Sequence, residues 1–287
     1  MRPASVIEIL TPKNFVLNGL WYGPQQPRRV IILLHGLTGS AFSSSSVVEA
    51  LADDETAVVT FNNRGYAIIS NLRQKIGNET KYSLGGAAHE VFTDCIDDID
   101  GASRYARQQG VKEIYLAGHS TGAQKIVYYA YKKPTVKIRG LILLGPLSDY
   151  AGERKKPQLR KAVAAAKRML KAGKSNDLLP RDVWWQYFDA QRMLSLYTPD
   201  GIEEIFSYSQ PDKKPKIYQS IKLPVITLSA GEDEYSERPA VKLVEWFKKN
   251  SRSNHFAAHV IPNVGHSFSE REHEVARAIQ KWIKSIK

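Results

Sequence analysis

One cysteine, Cys95, in 287 residues excludes an internal disulfide, so the fold must hold without a covalent staple and a reducing compartment suits it. Long apolar runs are missing too. The longest near the start is Val30 to Leu34, far short of the ~20 residues a membrane helix needs. Met1 to Leu10 lacks the continuous apolar stretch and small-residue cleavage site of a secretory leader. These absences lead us to expect a cytoplasmic protein with no transmembrane segment. No unit of 20 to 50 residues repeats, which argues against solenoids and propellers. No P-loop occurs, and no G-x-G-x-x-G follows an apolar run. His89-Glu90 and His273-Glu274 each lack a second histidine four residues after the first, so no zinc-protease helix is present. We expect neither cofactor nor metal.

Acidic side chains are also in short supply: 29 Asp and Glu against 41 Lys and Arg, a formal net charge of +12. Nine of the cations fall between Arg154 and Lys174, where there is no Asp or Glu. Such a segment attracts anions. Without an accompanying nucleic-acid motif it reads first as the solvated face of an exposed helix, and no nucleic-acid partner is expected.

What is present describes an α/β protein. The 43% hydrophobic and 24% charged content is that of an ordinary folded chain. Val30-Ile-Ile-Leu-Leu34, Ala57-Val-Val-Thr-Phe61, Ile114-Tyr-Leu-Ala117, Leu141-Ile-Leu-Leu144 and Val225-Ile-Thr-Leu228 are continuous apolar runs. Strands buried on both faces look like this. Val6–Leu10, Phe15–Tyr22 and Phe256–Ile261 are further strand candidates. Amphipathic helices are expected over His89–Gln109, Thr121–Lys132, Pro239–Lys249 and Ser269–Ile286. The alternation predicts a mainly parallel central sheet with helices on both faces, whose ligand site lies at the strands' carboxyl ends. From Ser148 to Tyr218 the alternation lapses into a basic helix (Leu159–Lys171) and an aromatic set that includes Trp184 and Trp185. We therefore expect a core of residues 1–147 and 219–287 with a helical cap of residues 148–218 inserted into it.

The chemistry is carried by Gly118-His119-Ser120-Thr121-Gly122, a G-x-S-x-G at a strand-to-helix junction. A hydroxyl is a weak nucleophile and must stand free within reach of a base. A sharp turn does this, and flanking glycines let strand and helix approach closely. Ser120 is thus the candidate nucleophile. The loop His35-Gly36-Leu37 follows an apolar strand, where this architecture takes a backbone N–H for the developing oxyanion. Leu37 and Thr121 are the expected donors, while His35 reads as a loop-orienting residue. Of seven histidines, His266 lies in a loop after the last strand candidate and is the expected base. The acid should follow Val225–Leu228, in Gly231-Glu232-Asp233-Glu234. Asp233 is preferred, with Glu232 and Glu234 as alternatives and Asp149 a rival from an earlier loop. Asn63 and Arg64, after another strand, are candidates for substrate contact, though a turn held by structural hydrogen bonds is the preferred reading. Trp184 and Trp185 are candidates for lining an acyl or aryl pocket and equally for the cap's own core, and Cys95 sits on the apolar stripe of its helix.

Together these motifs resemble the α/β-hydrolase superfamily over nearly the whole chain. More narrowly, Phe61-Asn-Asn-Arg-Gly65, Gly118-His-Ser-Thr-Gly122, Leu144-Gly-Pro-Leu-Ser-Asp149 and Gly231-Glu-Asp-Glu-Tyr235 are similar to a little-characterised branch that includes siderophore-ester hydrolases. The resemblance implies hydrolysis of a carboxylic ester without a cofactor. Gly231 and Asp233 are one residue closer than the family's usual Gly-x-x-Asp, which keeps the identity of the acid open. The function expected is a serine esterase acting on a small-molecule ester through Ser120, His266 and Asp233. The rivals are an aminopeptidase-like amide hydrolase with the same triad and a non-enzymatic ligand-binding protein on the same fold.

Overall fold

The computed structural model describes residues 3–286. Its strands are β1 (Ala4–Leu10), β2 (Phe15–Tyr22), β3 (Arg29–Leu34), β4 (Thr56–Phe61), β5 (Ser70–Ile76), β6 (Glu79–Gly85), β7 (Glu113–His119), β8 (Gly140–Leu144), β9 (Val225–Ala230) and β10 (Phe256–Ile261). The helices are α1 (Ser45–Leu51), α2 (Cys95–Gln108), α3 (Thr121–Lys132), α4 (Asp149–Glu153), α5 (Pro157–Lys171), α6 (Ala190–Tyr197), α7 (Lys216–Ser220), α8 (Ala240–Asn250) and α9 (Glu272–Ser285).

One sheet runs in the order β10-β9-β8-β7-β3-β4-β2-β5-β6, with β1 also paired to β2. The six strands from β10 to β4 are parallel. The pairs made by β2 and the β5–β6 hairpin are antiparallel. Burial explains the apolar runs: every residue of β3, β4, β8 and β9 is buried, because helices cover both faces. On one face α2, α3 and α8 close a core with Ile32, Leu116 and Leu143. On the other, α1 and α9 pack on Ile31, Ala117 and Ile142. Cys95 lies within the first core, 3% exposed.

A third, smaller core belongs to the inserted segment: Leu159, Ala162 and Ala166 of α5 meet Met193 and Leu196 of α6, with Trp184 and Phe188 between them. Ile205, Phe206, Tyr208 and Tyr218, which fall within the segment expected to form the cap, join the core beside α8 instead. The third core thus takes its last residue at Tyr197, and residues 205–218 pack with the first.

Two further elements differ from expectation. In the β5–β6 hairpin, β6 is exposed as far as Leu84 while β5 is half-buried from Leu72 to Gln74, so it offers no apolar run; its one signal is the turn pair Gly77-Asn78, with Gly77 at φ +59°. The helix expected from His89 begins as a 3-10 turn at Phe92–Asp94 and becomes α-helical at Cys95; Glu90, before it, belongs to a buried ion network described below. Among the described residues no helix is long and apolar enough to cross a membrane.

Candidate active site

Strand β7 ends at His119 and α3 begins at Thr121, leaving Ser120 alone to reverse the chain. Its backbone sits at φ 53° and ψ −124°, a strained conformation for a residue with a Cβ. Neighbours hold it there. Its N–H donates to Leu144 O at 2.9 Å, and its own carbonyl accepts from Ala123 N at 2.9 Å. The glycines are obligatory: a Cβ on Gly118 would stand 2.2 Å from Gly122 O, and one on Gly122 would stand 2.5 Å from Leu34 O. Gly36 is pinned likewise, since a Cβ there would lie 2.8 Å from that of Ser120.

Ser120 opens into a cavity of about 1020 Å³ between sheet and cap, lined also by Leu37, Leu147, Asp149, Trp185, Tyr197 and His266. Outside regular helix and strand pairing, neither the Leu37 nor the Thr121 amide donates to a protein acceptor among the described residues. The imidazole of His266 is buried and donates through Nδ1 to Asp233 Oδ2 at 2.8 Å. With Nδ1 so engaged, Nε2 is the nitrogen left to accept a proton. No hydrogen bond joins Nε2 to the Ser120 hydroxyl among the described residues. Such contacts commonly tighten only when substrate arrives.

The surroundings of His266 were not anticipated. Glu234 Oε2 accepts from His266 N at 2.8 Å, and His119 Nε2 donates to His266 O at 2.9 Å. Both ends of the residue's backbone are therefore tied. Burial, and after it the nearby His266, lowers the His119 pKa to about 4, so its ring is a neutral donor at ordinary pH. Gly145, at φ +53°, leaves room for the imidazole: a Cβ there would be 3.0 Å from His266 Cε1. Tyr235 closes the other side, ring against ring at 5.1 Å. Of the acid candidates, Asp233 reaches the imidazole and Glu234 the backbone, while Glu232 is exposed. Asp149 lines the cavity, accepts from Gln124 Nε2 at 3.3 Å and is pushed up to about 6 by burial and then by Glu203.

Three expected contact residues do not reach the cavity. Arg64 is buried against α2, donating to Asp98 through Nε at 2.7 Å and to Asp97 through Nη2 at 3.1 Å, with its guanidinium 4.4 Å above the Phe15 ring. Asn63 accepts from Gly65 N at 2.9 Å and from Lys125 Nζ at 3.4 Å, so it serves the turn. Trp184 is 2% exposed in the cap core. Trp185 does line the cavity. His35 is buried, its Nδ1 donating to Gly36 O at 2.8 Å; burial and then Lys125 lower its pKa to about 4.

A chain of buried charges joins this site to the cap. Glu90 receives Lys125 of α3 at 2.5 Å and Arg192 of α6 at 2.9 Å, and Arg192 also pairs with Glu203. Gly65 makes the space, since a Cβ there would lie 2.2 Å from Glu90 Oε1.

A mainly parallel sheet, a strained serine between β7 and α3, and a histidine loop beyond the last strand define an α/β-hydrolase fold. The chain belongs to the family described as "Protein of unknown function (DUF1749)", whose profile matches residues 63–286. No curated protein matches the sequence. Among solved structures, carboxylesterase CesB (YbfK) from Bacillus subtilis is similar with a TM-score of 0.60 and 19% identity, over 98% of this chain and 92% of that one. The esterase Pf2001 of Pyrococcus furiosus gives 0.61 and 18%, over 99% and 91%. Est1E from Butyrivibrio proteoclasticus gives 0.64 and 17%, over 98% of each chain. At this identity the likeness is one of fold, and it does not single out the siderophore-ester branch.

Proposed function

We propose that the chain is a serine hydrolase that cleaves small-molecule carboxylic esters. The observation that carries this reading is the strained Ser120 facing the same cavity as an imidazole whose Nδ1 is held by Asp233. In the proposed cycle His266 Nε2 takes the Ser120 proton as Oγ attacks the ester carbonyl. The oxyanion is held by the Leu37 and Thr121 amides, with the N-terminus of α3 adding a favourable dipole. His266 then gives the proton to the leaving alcohol, and water repeats the attack on the acyl-enzyme. Asp233 fixes the tautomer and stabilises the imidazolium. The aromatic wall of Trp185, Tyr187 and Tyr197 suits an acyl or aryl group. The esterase relatives in fold, one of them solved with ferulic acid bound, support the same class.

A second reading has one observation in its favour. Asp149 and Glu153, both on cap helix α4, line the cavity and would suit the free amine of an aminopeptidase-type substrate. The two are separated by turnover of p-nitrophenyl esters against aminoacyl anilides, for the natural chain and for Ser120→Ala. Mass spectrometry after a fluorophosphonate probe should find the adduct on Ser120. Equal turnover by both proteins, or an adduct elsewhere, removes Ser120 from the chemistry.

A further inference from the structure

Helix α5 has two unlike faces. Leu159, Ala162 and Ala166 are buried in the third core, and Ala165 is buried beside them. On the outer side Arg160, Lys161, Lys167, Arg168 and Lys171 are all exposed. Their spacing of i, i+1, i+7, i+8 and i+11 puts them on a single stripe of a 3.6-residue helix. Of the nine cations between residues 154 and 174, only Lys156 has a carboxylate partner among the described residues, Glu153 at 2.6 Å. Like charges one turn apart, such as Lys167 and Lys171, repel and work against the helix. A face kept for solubility alone would mix both signs. An unrelieved stripe calls for a counter-charge from outside the chain.

We propose that this face of α5 docks the protein on an anionic lipid surface. The stripe is a band covering about a third of the circumference of a helix of 15 residues, so a planar layer of phosphates can face all five cations together. The same cap exposes apolar groups: Leu170 on α5 is 47% exposed, Trp185 62% and Tyr187 43%. Trp and Tyr settle at the boundary between headgroups and acyl chains, and a basic, amphipathic helix lies in that plane. Trp185 and Tyr187 also line the cavity of Ser120. A bilayer offers phosphates with apolar chains beneath them, matching both features. A nucleic-acid duplex presents phosphates alone on its outer surface, and no Asn or Gln interleaves the stripe to read bases.

The test is co-sedimentation of the full chain with phosphatidylcholine vesicles, with and without phosphatidylserine. Binding is expected only with phosphatidylserine and should fall steeply as salt rises. The variant Arg160→Gln, Lys161→Gln, Lys167→Gln, Arg168→Gln should bind roughly a hundredfold more weakly, each lost charge near the surface having its own share. A control with the same charge loss, Lys112→Gln, Lys137→Gln, Lys281→Gln, Lys284→Gln, should lose less than about threefold. Circular dichroism and vesicle-free ester turnover of both variants should match the natural chain. Absence of binding to the phosphatidylserine vesicles, equal losses in the two variants, or tighter binding to duplex DNA would each overturn the proposal.

Discussion

His119 and His266, 147 residues apart in sequence, meet through a 2.9 Å hydrogen bond from the His119 ring to the His266 carbonyl. One histidine thus orients the loop that carries the other. Its neighbour in sequence, Ser120, sits at the turn this loop faces, so the bond couples the two halves of the proposed active site.

Replacing His119 with Ala should therefore lower kcat on a neutral ester by about five- to tenfold while leaving KM nearly unchanged, the scale of one ordinary hydrogen bond of about 1 kcal/mol. His119→Gln, which retains a donor, should recover part of the loss. Steady-state kinetics on the two variants decide this; a change confined to KM would contradict the positioning role.

Asp233 and Glu234 divide their work on His266 between ring and backbone. Asp233→Asn should cut kcat by about 10³- to 10⁴-fold, as losing the correct tautomer does in other triads. Glu234→Gln keeps an acceptor for His266 N, so its effect should stay within about tenfold. The reverse ranking would make Glu234 the acid.

Glu90 neutralises Lys125 and Arg192 where water does not reach. Glu90→Gln leaves both cations short of a partner and should destabilise the fold by about 3–5 kcal/mol. Because α6 hangs on the same carboxylate, limited proteolysis should cut the cap before the core. Chemical denaturation measures the first effect, and mapping of the early fragments the second.

Glu204 supplies a test by pH. It accepts from Ser148 Oγ at 2.5 Å and Gln210 Nε2 at 3.0 Å, yet burial dominates and raises its pKa from 4.5 to about 7. Between these values the folded chain holds more protons than the unfolded one, so this group's contribution to stability falls as pH rises. Glu204→Gln removes that contribution. Its unfolding free energy relative to the natural chain should climb from pH 4.5 to pH 7 and then level off. A flat difference across that window would contradict the assignment.

Much of the frame can be read from sequence because its determinants are local. A strand covered on both faces must be apolar throughout, so β3, β4, β7, β8 and β9 stand out. The turn at Ser120 is equally visible, since its steric demands fall on glycines two residues to either side. The remainder depends on distant partners. Nothing near Glu90 in sequence announces Lys125 or Arg192, and periodicity alone extends helix α2 back through it. The His119 contact is hidden for the same reason. Arg64 resembles a binding residue because it follows a strand's carboxyl end, yet Asp97 and Asp98 claim it from α2. The aromatics of residues 205–218 and those of residues 184–197 follow one another in sequence with no break in pattern, and only packing assigns them to different cores. The β5–β6 hairpin escapes because β6, exposed on both faces, has no pattern to display and β5 is half-buried at polar as well as apolar positions.

The burial of Cys95 has a practical use. Its thiol is enclosed beneath α3 and its pKa stands well above 9, so maleimides and iodoacetamides should pass it by while the fold is intact. A cysteine placed on the outside of α5, at Ala164 for example, would then be the one thiol that reacts. A single dye attached there would report from the cap, with no native residue needing removal first.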